Sequence, residues 1–262
     1  MLGKLMKYEW KATARLFVPF YAAVVIFALV NRVFIQFNAG EGFMAVVAGF
    51  AMFAYVFAII ATFALTLVII VQRFYKNLLG DEGYLMFTLP VKTWQHTVSK
   101  MLIASAWTLL SVVAVFVSVI AMVANKAFWE SVAKYISMYQ SWDIFLNKDL
   151  LVVWFVVAVL TSLVSGILFI YASIAIGQLF SRHKLVASFG AFLALNVVSQ
   201  IISSVLIGVL YLVNPQEFVG NVMPSESSIM IMLVGALLLN ALFGIGCYLV
   251  TNHILDRRLN LE

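Results

Sequence analysis

The side chains best suited to acid–base or metal chemistry near neutral pH are histidines, because imidazole titrates there and ligates metals as the neutral ring. They stand at His96, His183 and His253, too far apart for a zinc spacing, and no H-E-x-x-H run occurs. Each reads as a solvated or interfacial residue near the inner membrane surface. His253 and Asp256 are three apart and share a helical face, but one such pair is weak ground for catalysis. No G-x-x-x-x-G-K-[ST] run is present, so the sequence has no loop of that kind to cradle nucleotide phosphates. No acidic residue falls inside an apolar run, whereas proton-driven carriers place ionisable groups at membrane depth. The expectation is a chain that is not itself an enzyme, with no catalytic centre, metal or cofactor of its own.

The polar residues that do fall inside apolar runs are amides and hydroxyls. Asn196, Ser199, Gln200 and Ser203 recur at i, i+3, i+4 and i+7, which is one helical face. Such groups in hydrocarbon seek partners on other helices or in a water-filled path. The stripe therefore reads either as helix–helix glue, within the chain or at a dimer seam, or as the lining of a translocation path. Asn240 and Gln178 are more isolated.

The elements that position these residues are apolar helices. Hydrophobic residues make up 65% of the 262-residue chain and charged ones 10%; a soluble domain carries about 25% charge, and this chain could not cover its surface. Six runs are long enough to cross a hydrocarbon core of about 30 Å: residues 17–37, 43–71, 101–124, 150–180, 185–213 and 229–250. The fold class expected is all-α and polytopic, one transmembrane domain over residues 1–262. No repeat or long linker divides it. The single cysteine, Cys247, excludes an intrachain disulfide and reads as a buried core residue.

Lys and Arg set the orientation. With the N-terminus inside, twelve basic residues flank the inner ends of the spans, against four (Arg32, Lys126, Lys134, Lys148) on the outside. Both termini are then cytoplasmic. The net charge of +5 is accounted for by this asymmetry and does not point to nucleic acid. The first span, with no convincing small-x-small cleavage site after it, is expected to be retained.

Ahead of the first span, Lys4, Lys7, Lys11 and Arg15 fall on one face of a helix, with Leu2, Leu5, Met6 and Leu16 opposite. This predicts an amphipathic helix lying in the interface on membrane lipid. Glu9 falls in the middle of the apolar face and requires a partner: a lysine one turn away, solvent, or an ion pair with Arg73 or Lys76 at the inner end of the second span. Residues 125–149, on the outside, carry Phe128, Trp129, Tyr135, Tyr139, Trp142 and Phe145. The i, i+4 series Phe128, Val132, Ile136 predicts a surface helix there, either an aromatic anchor or a lip for an amphipathic substrate.

The inner loop over 72–100 is too apolar for a solvated connection. Leu78, Leu79, Tyr84, Leu85, Phe87 and Leu89 surround Asp81 and Glu82, and Pro90 bars a regular helix. A short segment at once apolar and charged is shaped to dock on a protein. The stretch FYKNLLGDEGYLMFTLPV (Phe74–Val91), the LxKYExK pattern (Leu5–Lys11) and the six-span layout together resemble the permeases of ATP-binding-cassette exporters, in the type-2 export subfamily of small Gram-positive permeases.

That resemblance implies an elbow helix over residues 1–16 and a cytoplasmic coupling helix around Leu78–Leu89. The coupling helix would sit in a groove of a separate ATPase through Leu79, Tyr84, Leu85 and Phe87, with Asp81 and Glu82 at the rim. It implies a second permease copy or paralogue, ATP and magnesium held by the partner subunits, a bacterial cell membrane, and a hydrophobic or amphipathic substrate. The large aromatic outer segment departs from the family's pattern. A non-transporting membrane scaffold or sensor that docks a cytoplasmic partner is the alternative in a different class.

Overall fold

The computed structural model describes residues 2–37, 42–79, 91–141, 148–180, 182–213 and 226–257. Every regular element among them is helical: α1 (Leu2–Gln36), α2 (Gly42–Phe74) running into a π-turn (Tyr75–Leu79), α3 (Thr93–Val123), α4 (Lys126–Ser141), α5 (Lys148–Gly177), α6 (Lys184–Val213) and α7 (Glu226–Arg257). All but α4 are long and apolar enough to cross a membrane, which gives six spans in a multi-pass membrane chain. The chain folds as two compact units, residues 1–72 with 102–144, and residues 73–101 with 145–262.

In the first unit the separate amphipathic helix expected at the N-terminus is not seen as such. Leu2–Gln36 is one continuous helix of 35 residues, about 52 Å long at 1.5 Å per residue. Nothing between residues 16 and 17 ends it. Pro19 lies inside it, and its missing N–H leaves the Arg15 carbonyl without the usual helical donor. Aromatic packing holds the N-terminal part in line: Trp107 of α3 is stacked between Trp10, with ring centroids 4.5 Å apart, and Phe17, at 4.6 Å. Phe17, Trp107, Ile69 and Ile103 form one buried cluster, and Val24, Ala28, Tyr55 and Met122 form a second.

Between these clusters runs a chain of buried hydroxyls. Ser111 Oγ lies 2.9 Å from the Trp107 carbonyl, 2.8 Å from Tyr21 Oη and 2.9 Å from Thr66 Oγ1, and Thr66 Oγ1 lies 2.7 Å from the Thr62 carbonyl; for the two helices to be joined, one of the Ser111 and Thr66 hydroxyls donates to the other. Tyr55 Oη meets Ser118 Oγ at 2.9 Å. Each hydroxyl is satisfied, as apolar surroundings require, so the network joins α1, α2 and α3 without leaving a reactive group. At its far end Arg32 donates to the Ala121 carbonyl at 2.8 Å and the Ala124 carbonyl at 3.1 Å, capping the C-terminus of α3. Asn31 bridges to the Ala51 carbonyl. The helix α4 then starts on an N-cap, the Phe128 N–H donating to Asn125 Oδ1 at 2.8 Å. It is helical over the Phe128, Val132, Ile136 series; Trp129 and Tyr135 stand exposed on it. Trp142 and Phe145 lie outside the described residues.

In the second unit α5 is central. It packs along both α6 and α7, while α6 and α7 barely touch each other. Small residues allow the close approaches. A Cβ added to Gly177 would come within 2.6 Å of the Ser188 Cα, and one added to Gly244 would overlap the Ser165 side chain. Ser165 Oγ donates to the Asn240 carbonyl beside that crossing. Leu168, Ala172 and Cys247 form the buried core, so Cys247 is the core residue expected.

Candidate functional site

Residues 80–90 lie outside the described residues, and the segments on either side of them are buried. On the leaving side the π-turn Tyr75–Leu79 follows α2 directly, and Phe74, Asn77, Leu78 and Leu79 are all buried. The widened turn lets consecutive apolar residues face the bundle, which a straight α-helix would rotate away at 100° each. Phe74 stacks on Tyr171 of α5 with ring centroids 3.9 Å apart and planes 12° from parallel. On the returning side, α3 starts at Thr93, and His96, Thr97, Ser99 and Lys100 are buried.

His96 corrects the expectation of a solvated imidazole: it is 2% exposed. The first turns of α3 run into the bundle rather than along its surface, which places polar residues of this root inside. His183 and His253 are exposed as expected. Among the described residues no three His, Cys, Asp or Glu side chains come together as metal ligands would.

Leu79 is therefore part of the loop's buried root, at 8% exposure. Asp81, Glu82, Tyr84, Leu85 and Phe87 lie outside the described residues. Glu9 and Arg73 are both half-buried and both have interaction partners; the first belongs to one compact unit and the second to the other.

The stripe on the fifth span lies on the outer side of α6. Asn196, Gln200 and Ser203 are exposed and Ser199 is half-buried. Their polar groups turn back onto their own helix: Asn196 Nδ2 donates to the Phe192 carbonyl at 3.0 Å, and Ser203 Oγ to the Ser199 carbonyl at 2.9 Å. Ser204 extends the stripe, donating to the Gln200 carbonyl at 2.8 Å. A shallow hollow lined by Val197, Gln200, Ile201, Ser204 and Val205 opens on this face. No described residue of α6 is buried within the chain.

The sequence reading missed the buried hydroxyls of the first unit. Tyr55, Thr62 and Thr66 are spaced i, i+7, i+11, and Ser111 and Ser118 i, i+7, so each set marks one helical face. It also missed the cap made by Arg32, for which no local pattern gave a signal.

Comparison with protein-family models, with curated proteins and with solved structures finds no match. The likeness to exporter permeases accordingly rests on the residues of the sequence.

Proposed function

We propose that this chain is the transmembrane permease subunit of an ATP-binding-cassette exporter, lying in a bacterial cell membrane with both termini cytoplasmic. A separate ATPase, holding ATP and magnesium, docks on residues 80–90, and a second permease copy or paralogue docks on α6. ATP-driven closure of the ATPases pushes on the loop, and the push moves the spans against one another. The substrate class is hydrophobic or amphipathic.

The observation that carries this reading is the pair of buried roots. A loop meant to transmit force requires them, because a displacement of its tip is passed on only if the ends cannot slip. Phe74 against Tyr171 joins the leaving root to α5, and α5 carries both α6 and α7. Support also comes from α6, whose polar stripe has no partner helix within its own bundle. In a bilayer such a face is better placed against protein than against lipid tails.

The test is co-purification from the native host. An ATPase subunit should accompany the chain and should be lost when Tyr84 and Phe87 are both replaced by alanine. A chain that purifies free of any ATPase contradicts the reading.

A further inference from the structure

The helix α4 starts where spans end. Arg32, near the end of α1 at Gln36, donates to the Ala121 and Ala124 carbonyls at the end of α3. That fork holds the ends of α1 and α3 at one level. On the same side Asn31 donates to the Ala51 carbonyl of α2, which begins at Gly42. The shared end of three spans marks the edge of the hydrocarbon. Asn125 caps α4 directly after α3, so Lys126 stands at that edge.

The faces of α4 divide sharply. At 100° per residue, Phe128, Trp129, Val132, Tyr135, Ile136 and Tyr139 fall within an arc of about 120°. Lys126, Glu130, Lys134 and Ser137 fall within about 80° on the opposite side. Phe128 and Val132, in the first half of the helix, are half-buried. Further along, the same apolar face is open: Tyr135 is 72% exposed and Ile136 53%. Apart from Phe128 and Val132, every described side chain of α4 is exposed.

The position of α4 decides what covers this face. A chain with six spans is ringed by lipid headgroups at the level where the spans end. A protein partner would first have to displace them. A helix standing out into water would leave the whole apolar arc wet, whereas one lying along the surface buries it. The exposed aromatics suit that boundary, because Trp129, Tyr135 and Tyr139 each join an apolar ring to an N–H or O–H that stays hydrated. On the other side, Lys126 and Lys134 outnumber Glu130 and can turn their ammonium groups to phosphates.

We infer that α4 is a phospholipid-binding surface. It lies along one leaflet with Tyr135, Ile136 and Tyr139 in the acyl boundary and with Lys126 and Lys134 at the headgroups. Only the name of that leaflet, the outer one, rests on the proposed orientation.

The full chain carries one added cysteine at a time, Glu130→Cys, Tyr135→Cys, Ile136→Cys or Ser137→Cys, in vesicles of equal phosphatidylcholine and phosphatidylglycerol. All four sites are exposed, so no substitution removes a buried contact. The buried Cys247 stays in place, and the unaltered chain serves as its blank. Each variant is labelled with a nitroxide. Collisions with oxygen, which concentrates among acyl chains, and with a water-soluble nickel chelate are read by power saturation. Labels at positions 135 and 136 should collide mainly with oxygen, at a depth of about 5–10 Å into the headgroup and acyl boundary. Labels at positions 130 and 137 should collide mainly with nickel. Nickel access at 135 and 136 equal to that at 130 would place α4 in water and overturn the inference. Closure of 135 and 136 to both reagents would place a protein, such as a second copy of the chain, on the face and overturn it equally. No ATPase enters this measurement, so its outcome is independent of the transporter reading.

Discussion

Phe74 and Tyr171 lie face to face, ring centroids 3.9 Å apart, and neither is more than 1% exposed. They join the start of the inner loop to the central helix of the second bundle. A stacked pair contributes about 0.5–1.5 kcal/mol beyond its buried area. Phe74→Leu keeps the bulk and loses the ring, so it should cost about 1 kcal/mol or somewhat more in stability. Its larger effect is expected in coupling: ATPase binding retained, stimulation by the permease reduced severalfold. Binding and stimulation both at the wild-type level would show that this stack is not the link.

The fork from Arg32 to the Ala121 and Ala124 carbonyls gives a second expectation. Arg32→Met keeps the apolar stem but leaves two helix-end carbonyls without that donor, at a cost of about 1–3 kcal/mol. Arg32→Lys should recover only part of it, because one ammonium does not reproduce a planar fork. Thermal unfolding of the detergent-solubilised variants ranks them; Met and Lys variants both melting with the wild type would remove the cap from the account.

Gly177 sits where α5 approaches the first turn of α6, with the Ser188 backbone in the space a Cβ would need. Backbone cannot step aside as a flexible side chain can, so Gly177→Ala should destabilise the second unit by about 1–3 kcal/mol, although alanine is the better helix former. The sign separates the effects: propensity alone predicts stabilisation. Yield and melting temperature against the wild type decide it.

The six spans were legible because hydropathy and length alone decide them, and all six appear in the structure. Cys247 was legible for the same reason. The continuity of the first helix past residue 16 was not: amphipathicity describes a helix's faces but not its end, and Trp10 and Phe17 on Trp107 bind the two stretches into one helix. His96 was misplaced because its distance from the apolar run says nothing of how deep α3 begins. Nor can spacing tell whether a polar stripe faces inward or outward, and the α6 stripe faces outward.

That outward stripe predicts a subunit interface. Asn196→Leu with Gln200→Leu removes its amides while keeping the helix apolar. Dimer formation in a crosslinking or mass-photometry assay should fall, and the monomer should stay folded, since neither side chain is buried within it. Unchanged assembly and transport would leave the stripe without a role.

The central claim is that residues 80–90 form the contact with an ATPase. Binding energy concentrates in a few desolvated apolar anchors, while rim charges govern orientation and encounter. Tyr84→Ala with Phe87→Ala should therefore weaken ATPase binding by at least about thirtyfold, the equivalent of roughly 2 kcal/mol. Asp81→Asn with Glu82→Gln should weaken it less, and the difference from wild type should shrink as salt is raised. The measurement is co-purification and stimulated ATPase activity of the two double variants beside the wild type. The account predicts loss of both in the alanine pair and a mild, salt-dependent deficit in the neutralised pair. An alanine pair that still binds and stimulates the ATPase normally would contradict it.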